Sequence, residues 1–554
     1  MPPISSTHSL LHRDVTRGAG AGQSRYTYLF PALAEEPMAG CFAGTTAKQT
    51  FDRLRQFETA CRAPLSDMPR LQMKLPAAYT YFGQFVNHDI SAPVGDVVSQ
   101  RRAAVPSGMI GAVDPPGLDR AHRATTRIIL ANLVNEHAEP LTLASLYGDG
   151  PDSADPFIAA LYEDDRKRFR LASTRREADR FFTDRLIDPA RVVHATGARD
   201  IPRRDRLPLI ADHRNDENLV ISQLHLALML LHNKAVAALE AMHPDPLDCF
   251  RQARQLVTLH YHWLILHDYL PSLLSRSVLA RSLADWQPRL KDPNHVPLEF
   301  TTAAFRFGHS MVGSAYNFND NFGIGGAISD TGATLEELFE FTSQQNMQTS
   351  DPQTLQLPDH WVVDWDRMTR LPSGRAGQRR LGAAEPIDIN FAPDMLSIVG
   401  TSQVAAHGSI LFRNLMRGYH RRIPFGQRLA QACQVPPLSE DEVRQALPDA
   451  AVPGTQGLRE AAEEMGLLTE TPAWLYFLCE AVTREGGHRV GPTASHIIAD
   501  TIVGLLRTNP RSVLNHPGGS WHPRKSALCP PGTDGLTSLR RLLTFAVADT
   551  ASPA

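Results

Sequence analysis

"YFGQFVNHDIS", residues 81–91, is an aromatic and apolar stretch that nevertheless carries Gln84, Asn87, His88 and Asp89 close together. In a helix, residues four apart share a face, so Gln84 and His88 point the same way. Asp89 is turned about 100° from His88. A ligand set shared by His88 and Asp89 is therefore disfavoured, whereas two adjacent sites suit the spacing. The plain alternative is a surface-facing His-Asp pair or a helix cap.

Helical periodicity dominates the chain around this stretch. Residues 217–242 open with "DENLVIS" and run nearly apolar all round from Leu224 to Leu231, which predicts a helix buried on most sides. Residues 251–274 predict another long helix, ending near Pro271. "SQVAAHGSILFRNLMRGY" (402–419), "TPAWLYFLCEAV" (471–482) and "GPTASHIIADTIVGLLR" (491–507) read as helices too, the last with Pro492 in its first turn. Alternating β-branched runs bounded by turns are scarce. The connections at 91–118, 149–156, 317–332, 350–386 and 434–456 are rich in proline and glycine. The expected fold is mainly α: one large helical domain over 71–545 with long irregular loops and little β, preceded by an arm over 1–70.

Composition limits the function classes. Of 554 residues, 42% are hydrophobic and 21% charged, as in ordinary globular chains. Lys and Arg number 56 against 59 Asp and Glu, a net charge of −3, so no overall basic field exists to hold nucleic acid. Mixed-sign runs such as "EDDRKRFR" (163–170) read as solvated faces. No apolar run reaches the ~18 residues of a membrane span, and residues 1–22 lack the apolar core of a signal peptide. The expectation is a cytoplasmic protein without a membrane span, with signal-independent export left open. Six cysteines show no ligand spacing and read as reduced thiols.

Three further windows set polar groups in apolar surroundings. "ADHRNDENLVISQLHLAL" (211–228) has Arg214 and Glu217 three apart. "AAFRFGHSMV" (303–312) has Arg306 and His309, and "ILFRNLMRGYHRRIP" (410–424) has Asn414 and Arg417, at the same spacing. Each pair shares a helix face. Singly, each window also reads as a hydrogen-bonded core histidine or an arginine in an ion pair. Taken together, histidines flanked by arginines in a mostly α chain meet the needs of a haem: an iron ligand, cations for the propionates and an apolar slot.

In this order the windows resemble the motifs of the animal-type haem peroxidase superfamily (the myeloperoxidase, peroxinectin and cyclooxygenase group), in its bacterial branch. "FGQFVNHDI" looks like its distal-histidine motif, "HRNDEN" its catalytic-arginine motif and "AFRFGH" its proximal-histidine motif. "RNLMRGYHRRIPFG" is similar to its Asn-x-x-Arg segment, and "RVGPTASHIIADTI" to its C-terminal helix. The resemblance spans about residues 70–510. It implies one haem b, with His309 as proximal iron ligand and Asn414 accepting a hydrogen bond from the other ring nitrogen. Arg306 and Arg417 would lie near the propionates. His88 would be the distal acid–base, Arg214 the distal cation, and Gln84 would sit beside peroxide and any halide. The implied reaction reduces hydrogen peroxide through a ferryl intermediate and oxidises small electron donors or halides.

The chain also departs from the family pattern. Asn87 stands where relatives have an ester-forming Asp, which leaves Glu217 as the one candidate for an ester to haem. Asp89 matches a calcium ligand, but Thr142 and Ala144 stand at positions where relatives supply oxygen-bearing side chains. Calcium takes ~6–8 oxygens, so the alternative is that Asp89 accepts backbone hydrogen bonds. Arg306 stands where the fatty-acid dioxygenases carry a radical-forming Tyr, which disfavours that reading. The remaining alternatives are an HD-type metal phosphohydrolase and a non-catalytic haem-binding or adhesion protein. The sequence leaves the oligomeric state undetermined.

Overall fold

In the chain's computed structural model, the residues described are 24–61, 73–92, 123–135, 137, 139–204, 207–287, 295–342, 356–371, 381–397, 410–450 and 456–548. Outside them lie residues 1–23 and 62–70 of the expected arm, most of the 91–118 connection, parts of those at 350–386 and 434–456, and the start of the helix expected from Ser402. The helices that build the site are α1 (Ala47–Cys61), α2 (Ala78–Ile90), α3 (Leu219–Leu239), α4 (Pro246–Leu264), α5 (Ile410–His420), α6 (Ala473–Glu485), α7 (Pro492–Thr508) and α8 (Leu539–Val547). Strand structure among the described residues is confined to two-residue pairs that act as clips. Tyr26–Thr27 pairs in parallel with Val296–Pro297, Tyr26 opposite Val296. Ala315–Tyr316 pairs antiparallel with Ala333–Thr334.

Helix α3 is the central element. Asn218 caps it by accepting a hydrogen bond from the Ile221 N–H at 3.0 Å. Its flanks pack on α2, α4 and α8. Among the described residues it alone is long and apolar enough to cross a membrane, but 83% of that apolar window is buried inside the fold. Burial on all sides accounts for the apolar run.

Pro271 does not stop the helix that begins at Pro246. A wider π turn, Ile265–Tyr269, follows α4, and one more helical turn, Leu270–Leu273, carries Pro271. Proline lacks an N–H and its ring collides with the carbonyl four residues back. The π turn, closed by the Leu270 N–H to the Ile265 carbonyl, relieves that collision within a continuous rod.

The described part of the amino-terminal segment lies against the body. The Leu29 and Phe30 N–H groups donate to the two carboxylate oxygens of buried Glu299 at 2.9 and 3.0 Å. The Tyr28 hydroxyl donates to the Arg421 carbonyl just past α5 at 2.8 Å. Phe51 of α1 meets Phe412 and Tyr419 of α5 edge-on. From the other side, the Trp474 indole of α6 reaches the Arg306 carbonyl at 3.4 Å. Two buried bonds to Glu480, from the Thr493 hydroxyl at 2.6 Å and N–H at 2.9 Å, seat the start of α7 on α6.

Helix α2 is buried along its length except at Gln84 and Asn87, which are partly accessible. Gly83 lets it sit against the π turn: a β-carbon there would strike the Tyr269 hydroxyl. Overpacking of this kind costs roughly 1–3 kcal/mol, against about 1 kcal/mol gained by Ala over Gly in a helix. Gly83→Ala is expected to lower the urea midpoint, and Gly83→Ala with Tyr269→Phe to recover most of the loss. An unchanged midpoint in the single variant would contradict this packing.

Candidate active site

His88 lies in the last turn of α2, and the segment that meets it is a 3₁₀ turn, His213–Asp216. Asp212 starts that turn, its carboxylate accepting the Arg214 N–H at 3.0 Å. The same carboxylate takes the Arg214 Nη2 at 2.6 Å and Nε at 3.0 Å. Arg214 then reaches across to the end of α2, donating to the carbonyls of Ser91 (2.8 Å) and His88 (2.9 Å). Four of the five guanidinium N–H groups are thereby committed. Arg214 is thus a clamp as well as a cation, where the sequence predicted a cation alone. At the turn's other end, buried Asp216 is held by the forked Arg203 at 2.6 and 2.8 Å.

Asn215 sits between Arg214 and Asp216 and fixes the His88 ring. Its Oδ1 lies 2.9 Å from His88 Nδ1. An amide oxygen only accepts, so Nδ1 carries the proton and Nε2 keeps its lone pair. The Asn215 Nδ2 in turn donates to His225 Nδ1 at 3.1 Å. Among the described residues, His88 Nε2 has no partner. Burial, followed by the Arg214 charge, pushes the His88 pKa down to about 3, so the ring is neutral.

Three residues per turn in a 3₁₀ segment put positions i and i+3 in line, which brings Glu217 to the Arg214 side as its spacing predicts. Glu217 Oε2 accepts from Gln84 Nε2 at 3.3 Å, and Gln84 Oε1 accepts from Asn218 Nδ2 at 3.3 Å. Gln84 and His88 do share a face, one turn apart on α2. Burial pushes the Glu217 carboxyl up to about 7, with Arg214 opposing.

A second 3₁₀ turn, Ala304–His309, packs against α2. His309 Nδ1 lies 3.0 Å from Asn414 of α5. The expected pairing partners are met, but the amide faces the ring through Nδ2 rather than Oδ1. Its Oδ1 is buried without a partner, so no second contact pins the amide, and a half rotation exchanges donor for acceptor. Among the described residues, His309 Nε2 is without a partner. Burial, then Arg306, Arg417 and Arg413, holds this histidine well below its ordinary pKa.

Arg306 joins the two halves, because its charge acts on both His88 and His309. Its Nε donates to the Thr301 carbonyl at 2.8 Å, and burial with neighbouring Arg421 and Arg214 lowers its pKa to about 10. Arg413, one turn before Arg417 on α5, has a buried Nη2 without a partner. Burial lowers its pKa, while Glu217 opposes that shift. Arg306, Arg413 and Arg417 all act on His309, and Glu217 acts in turn on Arg306 and Arg413. A β-carbon on Gly308 or Gly418 would meet open space. The positive charge of Arg306, Arg413 and Arg417, the two histidines and the room beside the glycines suit a planar dianionic group such as haem. His309 would hold its iron, and Arg306, Arg413 and Arg417 its carboxylates.

Asp89 faces away from this cluster and is fully buried. Its oxygens accept the N–H of Leu143 (3.0 Å) and the N–H and hydroxyl of Ser145 (3.2 and 3.1 Å). Donors therefore occupy the positions a cation would take. These bonds are those of the hydrogen-bonding alternative, and calcium at Asp89 stays an expectation of the resemblance. Asp212, Asn215 and Arg413 were not singled out from the sequence. The first two lie inside the quoted "ADHRNDEN" window, where an Asp two residues before Arg214 is a signal for a turn cap.

Residues 189–356 match the animal haem peroxidase family model. Over 110 residues the chain is 34% identical to Dual oxidase 1 of Caenorhabditis elegans, which covers 20% of this chain and 7% of that protein. Over 112 residues it is 31% identical to Peroxinectin A of Dictyostelium discoideum, 20% of each. The matched stretches are therefore a minor part of these curated relatives. In structure, Peroxidase A from Dictyostelium discoideum superposes with a TM-score of 0.54 at 15% identity, covering 90% of this chain and 89% of that one. The fatty acid alpha-dioxygenase of Arabidopsis thaliana gives 0.53 at 12% identity, covering 89% and 75%. The chain therefore has the haem peroxidase fold, and its residues 189–356 carry the sequence pattern of the animal haem peroxidase superfamily.

Proposed function

We propose that this protein is a haem peroxidase that binds one haem b, reduces hydrogen peroxide and oxidises a small electron donor or halide. The observation that carries the reading is the pair of histidines. His88 and His309 each meet an asparagine through Nδ1, and both lie in the field of Arg306. Haem bound between them supplies an iron that takes up peroxide and the oxidising power released when the O–O bond breaks.

The chain's own residues handle the proton. His88 Nε2 is the free base, because Asn215 occupies Nδ1–H. It removes a proton from one peroxide oxygen and returns it to the other, which departs as water. The Arg214 charge stabilises the negative charge that develops on peroxide, and its bonds to Asp212 and two carbonyls keep it from moving. Neutral His309 offers Nε2 once the Asn414 amide turns Oδ1 to Nδ1–H, an orientation that raises the ring's basicity as a ligand. Arg306, three residues before His309, stands where a dioxygenase of the resembled family has its tyrosine. The two structural likenesses, 0.54 and 0.53, do not discriminate between those activities.

His309→Ala is expected to abolish the Soret absorption of the haem-reconstituted protein; unchanged haem binding would remove His309 as the ligand. His88→Ala is expected to keep haem but slow its spectral response to peroxide by ~10²–10⁴-fold. A variant as fast as wild type would exclude His88 as the proton carrier. Oxygen uptake with a long-chain fatty acid, in the absence of any electron donor, would instead favour dioxygenation.

Glu217 adds a pH dependence. With a pKa of about 7, its carboxyl is neutral below that value and negative above it. Binding of an anionic donor beside Gln84 is therefore strong at low pH and weakens as Glu217 ionises. The KM for iodide is expected to rise through pH 7 in the wild type and to stay flat in Glu217→Gln. The same rise in both would assign the titration elsewhere.

A further inference from the structure

A second cluster of ligating side chains lies apart from the histidine pair. His194, Asp359 and His360 bring three ligand atoms within 4.8 Å of one another. His194 Nδ1 is 2.6 Å from Asp359 Oδ1, and His360 Nδ1 is 3.8 Å from the same oxygen. His360 is 2% exposed, and its Nδ1 has no hydrogen-bond partner. A buried imidazole nitrogen left empty beside a carboxylate is costly. It is the group that a bound cation would satisfy.

The backbone around these residues is held rigidly. Asn321 Nδ2 donates to the carbonyls of both Val193 (2.7 Å) and His360 (2.9 Å), and Asn321 Oδ1 accepts the Val193 N–H at 2.8 Å. The Ala195 N–H donates to the Asp359 carbonyl at 3.2 Å, and the Asp359 N–H to the Arg175 carbonyl at 2.9 Å. Phe182 packs edge-on against both imidazoles. The ligands are thus oriented by neighbours before any ion arrives, the arrangement that supports metal sites. Two cationic side chains oppose a cation: Arg175, whose charge acts on His360 while it pairs with Glu177, and Arg176, whose Nη1 lies 3.7 Å from Asp359 Oδ2 on a side chain 62% exposed.

We propose that His194, Asp359 and His360 bind a divalent transition-metal ion of the zinc type, with solvent completing the coordination. Two neutral imidazoles and one carboxylate form a borderline donor set that suits zinc or cobalt and disfavours calcium or magnesium. Binding displaces the proton shared by His194 and Asp359. The ion then ties the segment around His194 to the one around Asp359 and His360. Arg176 swings out, which its exposure permits.

The test uses the full-length chain without an affinity tag, stripped by chelator, and titrated with cobalt(II) followed by visible ligand-field absorption. One cobalt per chain is expected, displaced by zinc. His360→Gln and His194→Gln are each expected to weaken it more than about tenfold. Arg176→Ala, a change on an exposed side chain, is expected to tighten binding several-fold. Absence of saturable binding in the wild type would overturn the proposal. So would binding that both histidine variants leave unchanged, or an Arg176→Ala variant that binds no tighter. None of these readings depends on haem or on peroxide turnover.

Discussion

The site rests on one buried ion pair, Asp212 with Arg214. Asp212 is buried and the Arg214 side chain is 20% exposed, and burial raises the cost of each charge. Arg214 and the His137 ring, the latter 3.4 Å from Asp212 Oδ2, nevertheless hold the Asp212 carboxyl well below the ordinary carboxylate range. What makes the pair structural is where its remaining donors go. Arg214 bonds to the carbonyls of His88 and Ser91, two of the groups that a helix end leaves unsatisfied. His137 Nε2 lies 2.9 Å from the same His88 carbonyl. The clamp closes the end of α2 and sets its distance from the His213–Asp216 turn. Asn215, between the clamp and the Arg203–Asp216 pair, therefore has no freedom in where it meets the His88 ring. Removing one member of such a pair typically costs about 3–5 kcal/mol, and here it would also release the end of α2 that carries His88.

A second constraint is electrostatic. Arg306, Arg413, Arg417 and Arg421 come from two segments that meet beneath the glycine-lined space, and Arg214 faces them. Burial and mutual repulsion lower the pKa of Arg306 to about 10. Glu217 opposes the lowering of the Arg413 pKa by burial. Positive charge gathered around His309 in this way suits an anionic occupant. Burial, with this field behind it, keeps both histidines neutral, the state in which one can ligate and the other can accept a proton. Structure and chemistry are thus met by one distribution of charge.

Much of this was legible from spacing. A spacing of four from Gln84 to His88 in an α-helix, and of three from Arg306 to His309 in a 3₁₀ turn, places each pair on one side. The spacing argument therefore holds although the turns are tighter than an α-helix. Other features depend on contacts between distant segments. The bond from His88 to Asn215 spans 127 residues, and that from His309 to Asn414 spans 105; no local pattern encodes either. Pro271 misleads because the π turn that accommodates it leaves no mark in composition. Much of the arm over 1–70 lies outside the described residues, so its extent remains a proposal from the sequence.

The central claim is that Asn215 sets the His88 tautomer and so makes Nε2 the base. The rate at which peroxide changes the Soret band of haem-loaded Asn215→Leu, compared with wild type, tests it most directly. The account predicts equal haem content and a rate about 10–100-fold lower, the usual cost of losing a residue that orients a functional histidine. Equal rates with equal haem content would show that His88 needs no partner at Nδ1 and would contradict the account.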